Sequence, residues 1–165
     1  MKQKGFTLIE MMITMGIIAV LASIATMSYT KYVLRANRAD AKIALMQLSQ
    51  RQERYFTENL RYAADFDELL ENKKTAGGKY NPGATDVWVD DSNGGYDAAV
   101  TDPKQDYKVT LTQPGGTATF TLTAEAVGTR QLKDTKCLKF IINQAGSQTA
   151  EDNAGADERS ECWGR

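Results

Sequence analysis

The feature that most constrains this chain is an uncharged apolar run near its N-terminus. Residues Met11–Thr30 form twenty consecutive positions without a charged side chain. As an α-helix such a run is roughly 30 Å long, which is the thickness of the hydrocarbon core of a bilayer. It therefore predicts a membrane-spanning helix. A core helix buried on every side, or a secretory signal cleaved near Ala25, are the alternatives.

A single carboxylate, Glu10, stands inside the apolar stretch, four residues after Phe6. A charged side chain in hydrocarbon costs roughly 3 kcal/mol or more, so such a residue is functional by default and needs a partner. If the chain were cut after Gly5, the new α-amine of Phe6 would lie one helical turn from Glu10. That amine would supply the positive charge.

The N-terminal sequence MKQKGFTLIE resembles the leader and cleavage box of type IV prepilins. The similarity runs residue for residue over Lys4–Glu10. In that family a membrane peptidase cuts after the glycine on the cytoplasmic side and methylates the new amine, and the glutamate is used in fibre assembly. The resemblance implies that Gly5 and Phe6 form the processing site and that Glu10 is the assembly residue.

Later segments resemble minor pilins of the PilE type. These strings are Arg38–Ala41, Leu45, Leu48, Gln52–Phe56, Arg61–Ala63, Cys137, Phe140, Ile142, Gly146 and Cys162-Trp163. Unlike many members, the chain has no proline in Leu21–Tyr29. The resemblance implies a non-enzymatic minor pilin of a type IV pilus that serves adhesion, twitching motility or DNA uptake. A pseudopilin of a type II secretion system is the alternative.

The same resemblance divides the chain into three parts. Residues 1–5 would be a cleaved leader, residues 6–30 the transmembrane and assembly half of a helix, and residues 31–165 a periplasmic head. It implies a single pass through the bacterial inner membrane, followed by transfer to an extracellular fibre. The implied partners are other pilin and minor pilin subunits, the prepilin peptidase, the inner-membrane assembly platform and membrane lipid.

The distribution of helix breakers predicts one long helix. Between Phe6 and Ala76 there is one glycine and no proline. We expect a helix from Phe6 to about Glu58 and a short second helix over Asp65–Leu70. The second half of the long helix carries an apolar stripe, formed by Leu34, Ala41, Leu45, Leu48 and Tyr55. The opposite face carries Lys31, Arg35, Lys42, Gln50 and Arg54.

The second half of the chain predicts antiparallel strands. Tyr107–Leu111 and Thr119–Thr123 alternate polar and apolar residues around a turn at Gln113–Gly116, which indicates a hairpin. Lys136–Asn143 indicates a further strand. The expected architecture is α+β, with the long helix packed on a sheet of three or four antiparallel strands, and this order of elements also resembles the type IV pilin fold.

The two cysteines, Cys137 and Cys162, lie in what would be the exported part of the chain. An even pair in an oxidising compartment predicts a disulfide, which would stabilise the head by about 3.5 kcal/mol in the chain-entropy model. The enclosed segment, Asn143–Glu161, has no aliphatic residue larger than alanine. We expect its order to depend on the crosslink.

Charge and composition limit the remaining chemistry. The chain has no histidine and a formal charge of −1, so catalytic triads and histidine-based zinc sites are excluded. The acidic C-terminal segment makes nucleic acid an unlikely partner. Asp90–Asp97 is rich in oxygen ligands, but Tyr96 stands where an EF-hand needs glycine, so we interpret it as a solvated turn. The sequence predicts no metal and no cofactor.

Overall fold

The computed structural model describes residues 6–70, 86–89, 96–97, 106–114 and 116–164. Three α-helices are present in these ranges: α1 Leu8–Asn59, α2 Phe66–Leu70 and α3 Arg159–Trp163. Six strands accompany them: β1 Asp86–Val89, β2 Tyr96–Asp97, β3 Tyr107–Thr112, β4 Thr121–Ala126, β5 Lys139–Asn143 and β6 Gln148–Glu151. The chain divides into two compact units between Arg35 and Ala36.

Helix α1 confirms the long helix expected from the sequence. It has 52 residues and ends where Leu60 adopts the left-handed conformation, with φ of 56°. The N–H of Leu60 donates to the carbonyl of Phe56 over 2.8 Å, which is the bond of an αL helix end. The short helix α2 is confirmed as well, with Phe66, Leu69 and Leu70 buried as expected.

The amphipathic half of α1 supplies one wall of the hydrophobic core. Ala41, Leu45 and Leu48 are fully buried, whereas Leu34 and Tyr55 at the two ends of the stripe are half-buried. Spacings of three and four residues place these side chains on one helix face. On the predicted polar face, Lys42 differs because it is half-buried and bonded to the C-terminal region.

The six strands form one antiparallel sheet in the order β2-β1-β3-β4-β5-β6. The predicted hairpin is confirmed as β3 and β4, which pair from Tyr107 opposite Ala126 to Thr112 opposite Thr121. Strand β4 begins later than expected because a 3₁₀ turn occupies Gly116–Ala118. The α+β class and the antiparallel sheet are confirmed; β3 to β6 are consecutive antiparallel neighbours, and β1 and β2 extend the sheet.

The inward side chains of the sheet complete the core against α1. Alternate residues of β3 and β4 are buried, as the period of a strand with one covered face requires. The largest fully buried aromatic side chains are Phe66, Tyr107, Phe120 and Phe140. Strand β6 lies inside Asn143–Glu161, the segment without large aliphatic residues, and its Ala150 is fully buried.

Candidate functional site

The start of α1 holds the residues that the sequence assigns to processing and assembly. Gly5 lies outside the described residues, and Phe6 precedes the helix with its side chain exposed. Thr7 caps the helix, because its Oγ1 accepts a hydrogen bond of 3.3 Å from the N–H of Glu10. A threonine followed three residues later by glutamate is the spacing of a capping box.

The backbone N–H of Glu10 is therefore capped by Thr7, a local contact that the sequence reasoning missed. Its carboxylate lies in the first turn of α1, where the helix dipole stabilises negative charge. Within the described ranges, no lysine or arginine side chain forms an ion pair with Glu10. The Thr-x-x-Glu pattern was the signal that could have found the cap.

The apolar half of α1 is exposed along its whole described length. Large side chains such as Ile9, Met12, Ile18 and Ile24 each expose more than three fifths of their surface. By length and composition, α1 is the helix in the described residues that could cross a membrane, and none of its most apolar window is buried. A surface of this kind needs a bilayer or other apolar helices to cover it.

Cys137 and Cys162 form the predicted disulfide, with their Cα atoms 5.7 Å apart. Cys137 lies between a 3₁₀ turn at Gln131–Lys133 and strand β5, whereas Cys162 belongs to α3. Both side chains are buried. The bond therefore ties α3 to the segment that leads into β5.

A buried polar network lies beside this disulfide. Arg38 on α1 makes two parallel hydrogen bonds to Asp134, with Nε to Oδ2 at 2.5 Å and Nη2 to Oδ1 at 2.6 Å. The side chain of Asp134 is only 4% exposed. The hydrogen bonds to Asp134 raise the pKa of the Arg38 guanidinium, so this side chain keeps its charge although it is largely buried.

Gln131 connects this ion pair to the sheet. Its Nε2 donates to the hydroxyl of Tyr107 over 2.8 Å and to Oδ2 of Asp134 over 3.1 Å. Its Oε1 accepts from Nδ2 of Asn37 on α1 over 3.2 Å. The Tyr107 hydroxyl in turn donates to the carbonyl of Cys137 over 3.1 Å, and burial raises the pKa of that phenol.

Sequence reasoning did not identify this network. Asn37 and Arg38 are each three or four residues from both Leu34 and Ala41. This spacing places them on the buried face of α1. Two polar residues on an otherwise apolar stripe were the available signal. Their partners Gln131 and Asp134 could not be found from local pattern, because they are almost a hundred positions away.

The corner that follows α1 is held by side chains as well. Gln52, fully buried, accepts from the N–H of Ala63 over 2.9 Å and donates to its carbonyl over 3.2 Å. Arg61 and Glu68 form a two-pronged ion pair with distances of 2.8 and 2.9 Å. The hydrogen bonds from Arg61, together with one from the N–H of Ala64, lower the pKa of Glu68 to about 2.

The structure brings some of the predicted site residues together and separates others. Phe6 lies two residues before α1, Glu10 lies in its first turn, and the two cysteines are bonded. Most of the segment interpreted as a solvated turn, residues 90–95, lies outside the described residues, while Tyr96 and Asp97 form β2. The candidate site is therefore the start of α1, and the disulfide with its polar network is a structural feature of the head.

A long helix with an exposed apolar half, packed by its other half on an antiparallel sheet, is the fold of type IV pilins. This chain belongs to that class, and more narrowly to the family described as "Type IV minor pilin ComP, DNA uptake sequence receptor", whose model matches residues 27–141. Residues 1–26 match the "Prokaryotic N-terminal methylation motif". These matches confirm the resemblance to type IV minor pilins that the sequence indicates.

Individual relatives agree with the family. The chain is 27% identical to "Type IV major pilin protein PilE1" of Neisseria gonorrhoeae over 94% of its own length and 63% of the relative's. It is 38% identical to "Type IV major pilin protein PilA" of Myxococcus xanthus (strain DK1622) over 41% of its length and 31% of the relative's. It is 54% identical to "Fimbrial protein EcpC" of Eikenella corrodens over 24% of its length and 26% of the relative's. The matched region spans less than two thirds of each relative.

Proposed function

We propose that this chain is a minor pilin that is cut after Gly5, methylated on the new amine of Phe6 and incorporated into a type IV pilus. The observation that carries the proposal is a carboxylate, Glu10, in the first turn of α1 and directly before the uncharged apolar run Met11–Thr30. Such a charge is costly in lipid unless it has a task. The match of residues 1–26 to the methylation motif supports the same assignment. In this proposal the chain is a structural subunit and not an enzyme.

The proposal places residues 6–30 in the inner membrane, with the head, residues 31–165, in the periplasm. Lys2 and Lys4 precede the apolar segment, and basic residues favour the cytoplasmic side of a membrane helix. The disulfide between Cys137 and Cys162 supports an oxidising compartment for the head. Removal of residues 1–5 by the prepilin peptidase would leave Phe6 as the first residue.

In the fibre, Glu10 would attract the methylated amine of Phe6 on a neighbouring pilin. An incoming subunit leaving the bilayer would lose lipid contacts and bury its apolar half among other pilin helices, guided by the inner-membrane platform. The ion pair would fix the axial register, because a displaced helix would leave two charges unpaired in an apolar surrounding.

Intact mass spectrometry of the membrane form tests the processing step. We expect a chain that begins at Phe6 and carries one added methyl group, and Gly5→Leu should leave the uncut precursor in the membrane. A mature terminus near Ala25 would contradict the proposal, because it would indicate an ordinary secretory signal.

The assembly role of Glu10 is tested with two substitutions. Glu10→Gln removes the charge but keeps an amide able to serve in the capping box, whereas Glu10→Val removes both. We expect both variants to be cleaved normally and to be missing from purified pili, and Met12→Val serves as the control that stays in the fibre. Normal incorporation of Glu10→Gln would refute the charge-based role.

Cell biology separates a pilus subunit from a pseudopilin. Deletion of the gene in strains with and without the retraction motor, followed by counting of surface pili, shows whether the chain acts in pilus formation. Unchanged pili together with a loss of protein secretion would favour the type II secretion alternative over the proposed function.

The description of the family adds DNA uptake as a second candidate function. Within Asn143–Glu161 there is one basic residue, Arg159, so this segment is unsuited to phosphate; its acidic residues are Glu151, Asp152, Asp157, Glu158 and Glu161. On α1, Gln47, Gln50, Arg51 and Arg54 line an open groove, and its two arginines carry the positive charge that attracts a phosphate backbone.

A salt-dependent gel-shift assay with double-stranded DNA tests this second function. Arg51→Gln with Arg54→Gln should weaken binding at all sequences and flatten its salt dependence, because each phosphate contact contributes to the slope. Arg159→Gln is the matched control and should leave binding unchanged. Absence of binding by the unaltered protein at 50 mM salt would restore the expectation that nucleic acid is not a partner.

A further inference from the structure

The disulfide lies where an oxidant cannot reach it in the closed head. Cys137 has no exposed surface and Cys162 is only 2% exposed. Thiol–disulfide exchange needs a thiolate to approach a sulfur of the oxidant directly. The bond is therefore made either in the unfolded chain or in a folded head that opens locally.

Contacts other than the disulfide hold Cys137 in place. Its carbonyl accepts a hydrogen bond of 3.1 Å from the buried hydroxyl of Tyr107, which belongs to the network of Gln131 and Asp134. The next residue, Leu138, donates its N–H to the carbonyl of Glu151 over 3.1 Å. None of these bonds involves the sulfur atoms, so all of them are available to the reduced chain.

A second set of contacts holds Cys162 and the short helix α3. The Nζ of Lys42 donates to the carbonyl of Cys162 over 3.2 Å, and the N–H of Glu158 donates to the carbonyl of Ala150 over 2.9 Å. Trp163 packs edge-on against Phe140 with ring centres 5.6 Å apart, and its Nε1 donates to the carbonyl of Thr149 over 2.9 Å. Helix α3 is thus docked on β5, β6 and α1.

An ion pair joins the two residues that precede the cysteines. Lys136 and Glu161 are the residues immediately before Cys137 and Cys162, and their side chains meet with Nζ to Oε2 at 2.8 Å. The pair is exposed and by itself contributes little stability. Its value is geometric, because it sets the register between the two segments that the disulfide joins.

We propose that these contacts bring Cys137 and Cys162 together before they are bonded, so that the disulfide is closed on a folded head whose α3 opens to admit the oxidant. Helix α3 has five residues and lies near the chain end, so its release disturbs little else. Cys137 stays behind, packed between the 3₁₀ turn and β5. Lys42, Tyr107 and the Lys136–Glu161 pair are then positioning residues for this modification.

The proposed order of bond making follows from which thiol moves outward. The Cys162 thiolate attacks a sulfur of the disulfide oxidant, forms a mixed disulfide and releases one thiolate of the oxidant. When α3 docks again, the Cys137 thiolate attacks the Cys162 sulfur and displaces the second thiolate. Two cysteine thiols are oxidised, one oxidant disulfide is reduced to two thiols, and the protons of the cysteines pass to the released thiolates.

The experiment uses the full chain in detergent micelles, reduced with dithiothreitol and then exposed to oxidised glutathione. Two single-cysteine variants, Cys137→Ser and Cys162→Ser, report the reactivity of the remaining thiol by mass spectrometry. We expect Cys162 to be modified more than about tenfold faster than Cys137, and both more slowly than in urea. Equal rates, or rates as fast as those in urea, would overturn the proposal, as would a lack of reaction without denaturant.

A measurement on the unaltered chain keeps the test independent of the folding of these variants. Oxidation is stopped by rapid alkylation, and the mixed disulfide is mapped by peptide mass spectrometry. The glutathione adduct is expected on Cys162 peptides. An adduct predominantly on Cys137 would contradict the proposed order.

Lys42→Met tests positioning against a merely structural role. Loss of its bond to Cys162 should accelerate formation of the mixed disulfide by about fivefold while slowing the closing step, because opening is favoured and redocking is less accurate. Lys133→Met is the control, because Lys133 is an exposed lysine in the 3₁₀ turn that precedes Cys137. This substitution should change neither rate. Equal acceleration of both steps, or no change in either, would remove Lys42 from the proposed role.

Discussion

Arg38 and Asp134 meet across 96 positions of the chain through two parallel hydrogen bonds of 2.5 and 2.6 Å. The pair joins the helix of the head to the segment that leads into Cys137. A buried ion pair contributes little net stability compared with apolar residues, but removal of one partner leaves the other charge uncompensated. It therefore specifies how the disulfide-bearing segment docks on α1.

The first prediction follows from that asymmetry. Asp134→Asn should lower the free energy of unfolding by about 3 kcal/mol, because Arg38 keeps its charge in a largely buried site. Urea unfolding of the full chain in micelles, followed by near-UV circular dichroism, measures the change. Glu125→Gln breaks an exposed pair with Lys139 and should cost less than about 0.5 kcal/mol. Equal losses in the two variants would contradict the role given to Asp134.

The second prediction concerns pH and Glu68. Its pKa is lowered from 4.5 to about 2 in the folded head, chiefly by hydrogen bonds from Arg61. A lowered folded pKa means that the unfolded chain binds the proton more tightly, so the stabilisation is present above pH 4.5 and lost as pH falls toward 2. Glu68→Gln should flatten the pH dependence of unfolding in that window. An unchanged slope between pH 5 and 2 would show that the ion pair is screened by solvent.

A third prediction rests on the backbone of Leu60. This residue has φ of 56°, and its side chain is 83% exposed, so it bears the cost of a left-handed conformation without a packing gain. Leu60→Gly should stabilise the head by roughly 0.5–1 kcal/mol, since glycine adopts this conformation without a Cβ clash. Leu60→Ala keeps the Cβ and should bring no such gain. Thermal unfolding of the three proteins distinguishes the two effects.

The fourth prediction concerns loss of the disulfide. Changing both Cys137 and Cys162 to serine should lower the free energy of unfolding by about 3.5 kcal/mol in the chain-entropy model. Cleavage after Gly5 should be unaffected, because that site lies at the far end of the chain. The unaltered protein in a strain that lacks periplasmic disulfide formation should show the same fall in steady-state level. Equal melting with and without reductant would show that the crosslink adds no stability.

Elements with strong local patterns could be predicted from the sequence. The helix-breaker distribution and the stripe of Ala41, Leu45 and Leu48 gave α1 nearly to the residue, and alternation gave the β3–β4 hairpin. Strand β6 could not be predicted, because Gln148–Glu151 has little apolar character of its own. It is a strand because β5 and α3 lie on either side, which is tertiary context overriding local propensity.

The site divides along the same line. The cleavage box and the cysteine pair were visible because they depend on residue type and spacing in one short stretch. The position of Lys42 was misjudged, since its helix angle suggested solvent while its long side chain reaches the carbonyl of Cys162. Likewise, the burial of Arg38 depends on Asp134, which no window around Arg38 contains.

The bond between Cys137 and Cys162 also has a mechanical consequence for a subunit under tension. Twenty-five peptide steps separate the two cysteines. Fully stretched, that length would add about 85 Å to the chain. Because the disulfide carries the force past this segment, pulling on the head cannot extend the chain between Cys137 and Cys162. The head can therefore lengthen less before a covalent bond breaks.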